Sequence, residues 1–320
     1  MHRRALLATP FLATAAHADT WPDRPVRMII PWPPGGGNDI VGRIVSERLA
    51  HALSRPVVVE NRGGSNGVIG AEVVAKSRPD GYTLMFHSVT SHVVNPVVYP
   101  RLPYDTERDF IAASILGYSA LAIIVNPGLG IRTLPELIAR IRAQPGRFNY
   151  ASFGNASAGH LAGELFKQRL GLDIVHVPYR GGGPALADTI SGAIPMNFSG
   201  INTAASALRG GLVVPLAVTG AERSSILPDV PTVAEAAGLP DFEMGVTYAV
   251  WAPAGTPDAI VERIAIECTA GLRDPGAQAI LAQNGVEVLA PMSAAQRAAR
   301  VAREAAVLGR VVRESRLTLE

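Results

Sequence analysis

The chain has 320 residues, 48% of them apolar and 18% charged. That is room for two lobes with a core each, and it excludes a disordered chain, which needs low hydrophobicity and high net charge. Setting the first 18 residues aside leaves 27 basic against 27 acidic residues, so no charge excess calls for nucleic acid.

Those first 18 residues form an ordered pattern. His2, Arg3 and Arg4 are a basic start, Ala5 to Ala16 is a short apolar stretch broken by Pro10, and Ala16-His17-Ala18 fits a small-x-small cleavage site. This predicts a signal peptide over 1–18 and an exported chain that begins near Asp19 or Thr20. The stretch is too short to span a bilayer, which takes about 20 apolar residues. Cys268 is alone, so no intrachain disulfide forms, and its helix-like surroundings predict a buried, inert thiol.

Strand and helix patterns then alternate. Val26–Ile30 reads as a strand, followed by the loop Trp32-Pro33-Pro34-Gly35-Gly36-Gly37 and a helix with Ile40, Val41, Ile44, Val45, Leu49 and Leu53 at helical spacing. A strand at Val57–Val59, a glycine-rich loop, a helix through Ala75 and a strand at Thr83–Ser88 follow. This alternation predicts βαβ units in a mostly parallel sheet. It restarts with a strand at Ala120–Val125 and a helix whose Thr133-Leu134-Pro135-Glu136 start is a capping box. Strands at 148–152, 174–177, 194–198 and 213–218 alternate with helices near 158–170, 183–191 and 203–209. The strand-poor end of the chain cannot build a third lobe. The expectation is therefore lobe 1 over 19–120 plus 250–320 and lobe 2 over 121–249, with a ligand cleft between them.

Three loops carry the candidate chemistry. The first, Pro33, Pro34, Gly35, Gly36 and Gly37, opens a helix. A helix N-terminus offers free N–H groups to an anion without Lys or Arg. No Gly-Lys-Ser/Thr follows, and Ile40 stands where a dinucleotide loop needs a third glycine. The second runs from Ser152 through Gly154, Asn155 and Ser157 to His160 and also opens a helix, with Ser157 as a candidate cap. The third is Val177 to Leu186, containing Gly181-Gly182-Gly183. A secreted α/β serine hydrolase using Ser157 is the competing reading, but Asn155-Ala156-Ser157-Ala158-Gly159 lacks the first glycine of a nucleophile elbow. The seven histidines show no metal-binding spacing, and His87 and His92 fall in a loop-like region. No metal and no cofactor are expected.

At these loops the sequence resembles the substrate-binding proteins of the tripartite tricarboxylate transporters, the Bug family. The matching stretches are WPDRPVRMIIPWPPGGGNDIVGR at 21–43, VVVENRGGSNGVIGAEVVAKSRPDGYTL at 57–84, NPVVYPRLPYD at 95–105, HVPYRGGGPALADTISG at 176–192, ILPDVPTVAEAAGLPDFE at 226–243 and WAPAGTP at 251–257. The resemblance implies a two-lobed α/β periplasmic binding protein of type II-like fold, each lobe a mostly parallel sheet flanked by helices. It implies a non-catalytic monomer in the periplasm that binds a small carboxylate: a di- or tricarboxylate, acidic amino acid or aromatic acid. It also implies handover to the membrane permease subunits of such a transporter. The candidate ligand-binding residues are Trp32, Pro33, Pro34, Gly35, Gly36, Gly37, Ser88, Ser152, Gly154, Asn155, Ser157 and His160. Two loops depart from the family pattern. Trp32 stands where Phe is usual, and Asn61-Arg62-Gly63-Gly64-Ser65-Asn66-Gly67 stands where Asn-Arg-Pro-Gly-Ala-Gly-Gly is usual. A cleft-facing Trp32 would favour a flat or apolar ligand body.

Overall fold

The computed structural model describes residues 21–314. The expected signal peptide at 1–18 lies outside them. Two groups of three parallel strands flank an antiparallel centre. In the first group β1 (Val26–Ile30) lies between β2 (Val57–Asn61) and β3 (Thr83–Ser88). The crossover helices are α1 (Gly37–Leu53) and α2 (Val68–Ala75). Helices on both faces bury β1 and β3 almost completely, which is why their sequences read as continuous apolar runs.

The centre is built by β4 (Phe110–Val125) and, from the end of the second half, β9 (Gly245–Pro253). Helix α3 (Val89–Val98) leads from β3 towards β4. Residues 110–120 of β4 pair antiparallel with β9, which also pairs with β3. From Leu121 onward β4 changes partners, to β7 (Met196–Gly200) and β8 (Val214–Val218). Between these come α4 (Leu134–Ala143), β5 (Phe148–Ser152), α5 (Ala158–Leu170), β6 (Ile174–Pro178), α6 (Gly182–Ser191) and α7 (Ile201–Arg209). Strand β5 lies parallel between β6 and β7. The spatial order is β2-β1-β3-β9-β4-β7-β5-β6. The mostly parallel expectation therefore holds for the three outer strands on each side. The centre is antiparallel because the chain crosses on one long strand and returns on another.

Sequence reading finds only the last six residues of β4 and no helix at 89–98. His87 is in fact the penultimate residue of β3, and His92 lies in α3. Both are fully buried, so the loop reading of this stretch is corrected. The strand-like apolar content of 89–98 hides a helix whose Ser88 Oγ accepts from Ser91 N–H at 3.3 Å. The capping box at Thr133 and Glu136 forms as read, and a second one starts α8 (Val233–Ala237). The last described elements are α9 (Asp258–Leu272), α10 (Pro275–Gln283), β10 (Glu287–Val288) and α11 (Ala294–Glu314). Buried Arg297 fastens α11 to the first half: its Nε donates to Ala112 O at 3.0 Å and its Nη2 to Glu262 at 2.6 Å. Cys268 is buried in α9, and burial pushes its thiol up to about 12.

Candidate functional site

The loop after β1 is braced from behind. The Asp39 carboxylate accepts from Gly35 N–H at 2.9 Å, from Arg43 Nε at 3.0 Å and from Asn61 Nδ2 at 2.8 Å. Burial opposes charge on Asp39, but the bonds from Arg43, Asn61 and Gly35 outweigh it and hold the carboxyl below its ordinary value. Asn61 also donates to Trp32 O, and the Trp32 indole donates to His87 Nδ1 at 3.1 Å. This bracing leaves the helix end itself open. The N-cap of α1 is Gly36, with no side-chain cap, so the first N–H groups of the helix have no partner within it.

Two more helix starts face it from the other half. Helix α6 has Gly181 as N-cap and α7 has Gly200, again with no side-chain cap. By contrast Ser88, Thr133, Ser157, Thr232 and Asp274 cap their helices with a side chain. A Cβ on Gly36 would stand 4.0 Å from Gly182 N, and one on Gly37 would stand 2.5 Å from the Asn202 amide. The three starts enclose a slot of about 40 Å³ with Tyr248. That is space for about three waters, the scale of a carboxylate group. Among the described residues no acidic or basic side chain lines it.

The polarity of the slot is fixed by one chain of hydrogen bonds. Asn202 Oδ1 accepts from Thr203 N–H at 2.9 Å, which sets the amide orientation. Asn202 Nδ2 therefore donates to the Tyr248 hydroxyl oxygen at 2.6 Å. The Tyr248 proton is left to point elsewhere, as a donor. Burial raises the Tyr248 hydroxyl above its ordinary value, so that proton stays in place. Open helix starts and a donor hydroxyl together suit an anion.

Beside the slot, and sharing Trp32, Pro33, Pro34 and Phe153 with it, lies a wider mouth of about 770 Å³ between the 61–67 loop and the 153–155 and 178–180 segments. Trp32 and Phe153 line both spaces and meet edge to face, ring centroids 6.0 Å apart. Asn66 Nδ2 donates to Ala156 O at 3.2 Å across the halves. Among the described residues Arg180 is the one charged residue lining the mouth.

Of the residues read from sequence, Trp32, Pro33, Pro34, Gly36 and Gly37 line the slot, and Gly154 and Asn155 line the mouth. Trp32 is buried at 7% exposure, its indole N–H turned inward to His87. Gly35, Ser88, Ser152, Ser157 and His160 line neither space. Ser88 and Ser157 are fully buried helix caps, and Ser157 Oγ donates to Gly154 O at 2.6 Å and accepts from His160 N–H at 3.4 Å. Ser152 Oγ is 2.7 Å from His176 Nε2, and His176 stacks on His160 with centroids 3.7 Å apart. His160 Nδ1 in turn accepts from Ala156 N–H. This polar knot shapes the loop from inside. Sequence reading missed Asn202, Thr203, Val246 and Tyr248. The available signal was Ser199-Gly200-Ile201, a strand that ends on glycine and opens a helix with no capping side chain. Among the described residues no three His, Cys, Asp or Glu gather as a metal site, and no helix is long and apolar enough to cross a membrane.

Comparison with known proteins shows the family. Residues 41–317 match the model of TctC, the tripartite tricarboxylate transporter family receptor. The chain belongs to this family. It is 38% identical over 256 residues to BugT of Bordetella pertussis, covering 80% of this chain and 78% of that protein. Among solved structures, Rpa4515 of R. palustris with adipate superposes with a TM-score of 0.89 at 32% identity, covering 93% of this chain and 99% of that one. MatC of Rhodopseudomonas palustris with bound malate superposes with a TM-score of 0.85 at 29% identity, covering 91% and 100%. The two-lobed α/β fold is thus the fold of TctC solute-binding proteins.

Proposed function

We propose that this TctC-family receptor captures a small carboxylate in the periplasm and delivers it to the permease subunits of a tripartite tricarboxylate-type transporter. The observation that carries the reading is the convergence of three glycine-capped helix starts and the Tyr248 donor on a slot that no charged side chain lines among the described residues. A carboxylate there receives several N–H bonds and the favourable ends of three helix dipoles. The body of the ligand extends past Trp32 and Phe153 into the mouth, where Arg180 meets a distal acid. Relatives that carry adipate and malate support the ligand class.

Lobe 1 is 19–120 with the C-terminal part of the chain, and lobe 2 follows from 121. We place the second crossing at 244–245 instead of 249–250, because all of β9 pairs with first-half strands. The protein acts as an exported monomer after loss of residues 1–18. The binding reading is favoured over a hydrolase using Ser157, because the Ser157 hydroxyl is engaged with two backbone groups as a helix cap.

A thermal-shift series of mono-, di- and tricarboxylates tests the reading. A saturable rise is expected for one class, about 2.7 kcal/mol of added stability at one hundred times Kd, with no turnover. Their amides should leave the midpoint unmoved. A series in which no carboxylate stabilises the protein overturns the proposal.

A further inference from the structure

Asn66 ties together the two walls of the mouth. It lines the mouth from the first half and is 8% exposed. Its Nδ2 donates to Asn95 Oδ1 on α3, within the same half, at 2.8 Å, and to Ala156 O in the other half at 3.2 Å. A carbonyl oxygen only accepts, so the nitrogen of the amide must face Ala156, and that nitrogen has two protons to give. Each partner is held from behind. Asn95 Nδ2 donates back to Asn66 O at 3.3 Å, and Ala156 N–H donates to His160 Nδ1 at 3.1 Å. Both residues also hold left-handed backbone, with φ of 53° at Asn66 and 59° at Ala156. That region disfavours a side chain, and asparagine tolerates it better than most.

We infer that Asn66 is a latch that favours the closed arrangement of the halves and so slows release of a bound acid. The inference rests on the reading above that the halves close on a ligand, and it adds a residue that promotes closing without touching the ligand. The Asn95 bond lies inside one half and survives opening, so the amide stays aimed. The Ala156 bond breaks on opening, and water then takes the freed N–H. The net advantage of a neutral hydrogen bond over water corresponds to about 2- to 10-fold in an equilibrium. A latch of that size still lets the halves part, and its loss weakens every ligand by one common factor.

Asn66→Gly tests this, because glycine accepts left-handed backbone and only the side chain is lost. Its unfolding midpoint without ligand serves as the folding control. In calorimetry with succinate, malate and adipate, each acid that binds the parent should weaken by the same factor, about 2- to 10-fold. In stopped flow that factor should appear in dissociation, with association unchanged. Spin labels on Val58→Cys and Val175→Cys, exposed on the outer strands β2 and β6, report opening without any ligand. Cys268 is buried and stays unlabelled. The open fraction should be larger in Asn66→Gly than in the parent, and larger again in Asn66→Asp, which sets a carboxylate against Ala156 O. Unchanged affinities in Asn66→Gly overturn the inference. So do tighter ones, which would mean that the buried Asn66 Oδ1, without a partner among the described residues, costs more than the N–H bond gains. Unequal losses among the acids overturn it too, since Asn66 would then touch the ligand. If no acid binds the parent, the carboxylate reading fails and the label distances alone decide the latch: a larger open fraction in Asn66→Gly upholds it, and an unchanged one overturns it.

Discussion

Gly37 is where one methyl group decides whether the halves can meet. Its Cβ would lie 2.5 Å from Asn202, and that amide is tethered by Thr203 and Tyr248 and has nowhere to move. Overpacking of this kind costs about 1–3 kcal/mol, so Gly37→Ala should weaken ligand affinity by about 5- to 100-fold. The contact forms between halves, so the unfolding midpoint without ligand should stay put. Calorimetry and a denaturation curve on the same variant check both, and undiminished affinity would remove the contact from the closing mechanism. At Gly36 a Cβ meets only ordinary contacts of 3.7 and 4.0 Å, so alanine is tolerated there. Ser157 gives the opposite signature. As a buried cap, Ser157→Ala should cost about 1 kcal/mol of stability and leave affinity within about twofold. A large affinity loss at constant stability would put Ser157 in contact with ligand after all.

The elements differ in how they end, and this was only partly legible. The strand-loop-helix order of Val26–Leu53 could be read because its apolar spacing switches from continuous to helical across a Pro-Gly loop. The capping box at Thr133 could be read because its residues are local. Helix α7 and Tyr248 could not be assigned to the site, since only the long antiparallel pairing of β4 with β9 brings β9 beside α7. Strand β4 was missed over 110–119 because its small residues carry no alternation. The stacked pair His160 on α5 and His176 on β6 is a further product of pairing at a distance. Burial first of all lowers His160 to about 4, with Glu164 opposing and Lys167 assisting. Burial, then His160 and Lys167, lowers His176 to about 3. The unfolded chain takes up these protons near 6.5, before the folded form does. Stability should therefore fall as pH drops from about 6.5 towards 4 and change little with these groups above 7. Denaturation midpoints across this range should slope less steeply in His176→Gln than in the parent. Identical slopes would show that the ring titrates normally.

The whole molecule is one curved sheet that changes partners at Ala120 and Leu121. That places α1 on one side of the crossing strands and α6 and α7 on the other, so their open ends meet only when the halves do. In the proposed mode of binding, closure and anion binding are a single event, and ligand should reduce the radius of gyration in small-angle scattering; an unchanged radius on saturation would separate them. The most direct measurement is a crystal structure with the tightest-binding acid of the series. One carboxylate should lie on the N–H groups at the starts of α1, α6 and α7, within about 2.7–3.2 Å of them, and within reach of the Tyr248 hydroxyl. A carboxylate held instead by Arg180 in the mouth, with the three helix starts left to solvent, would contradict the account.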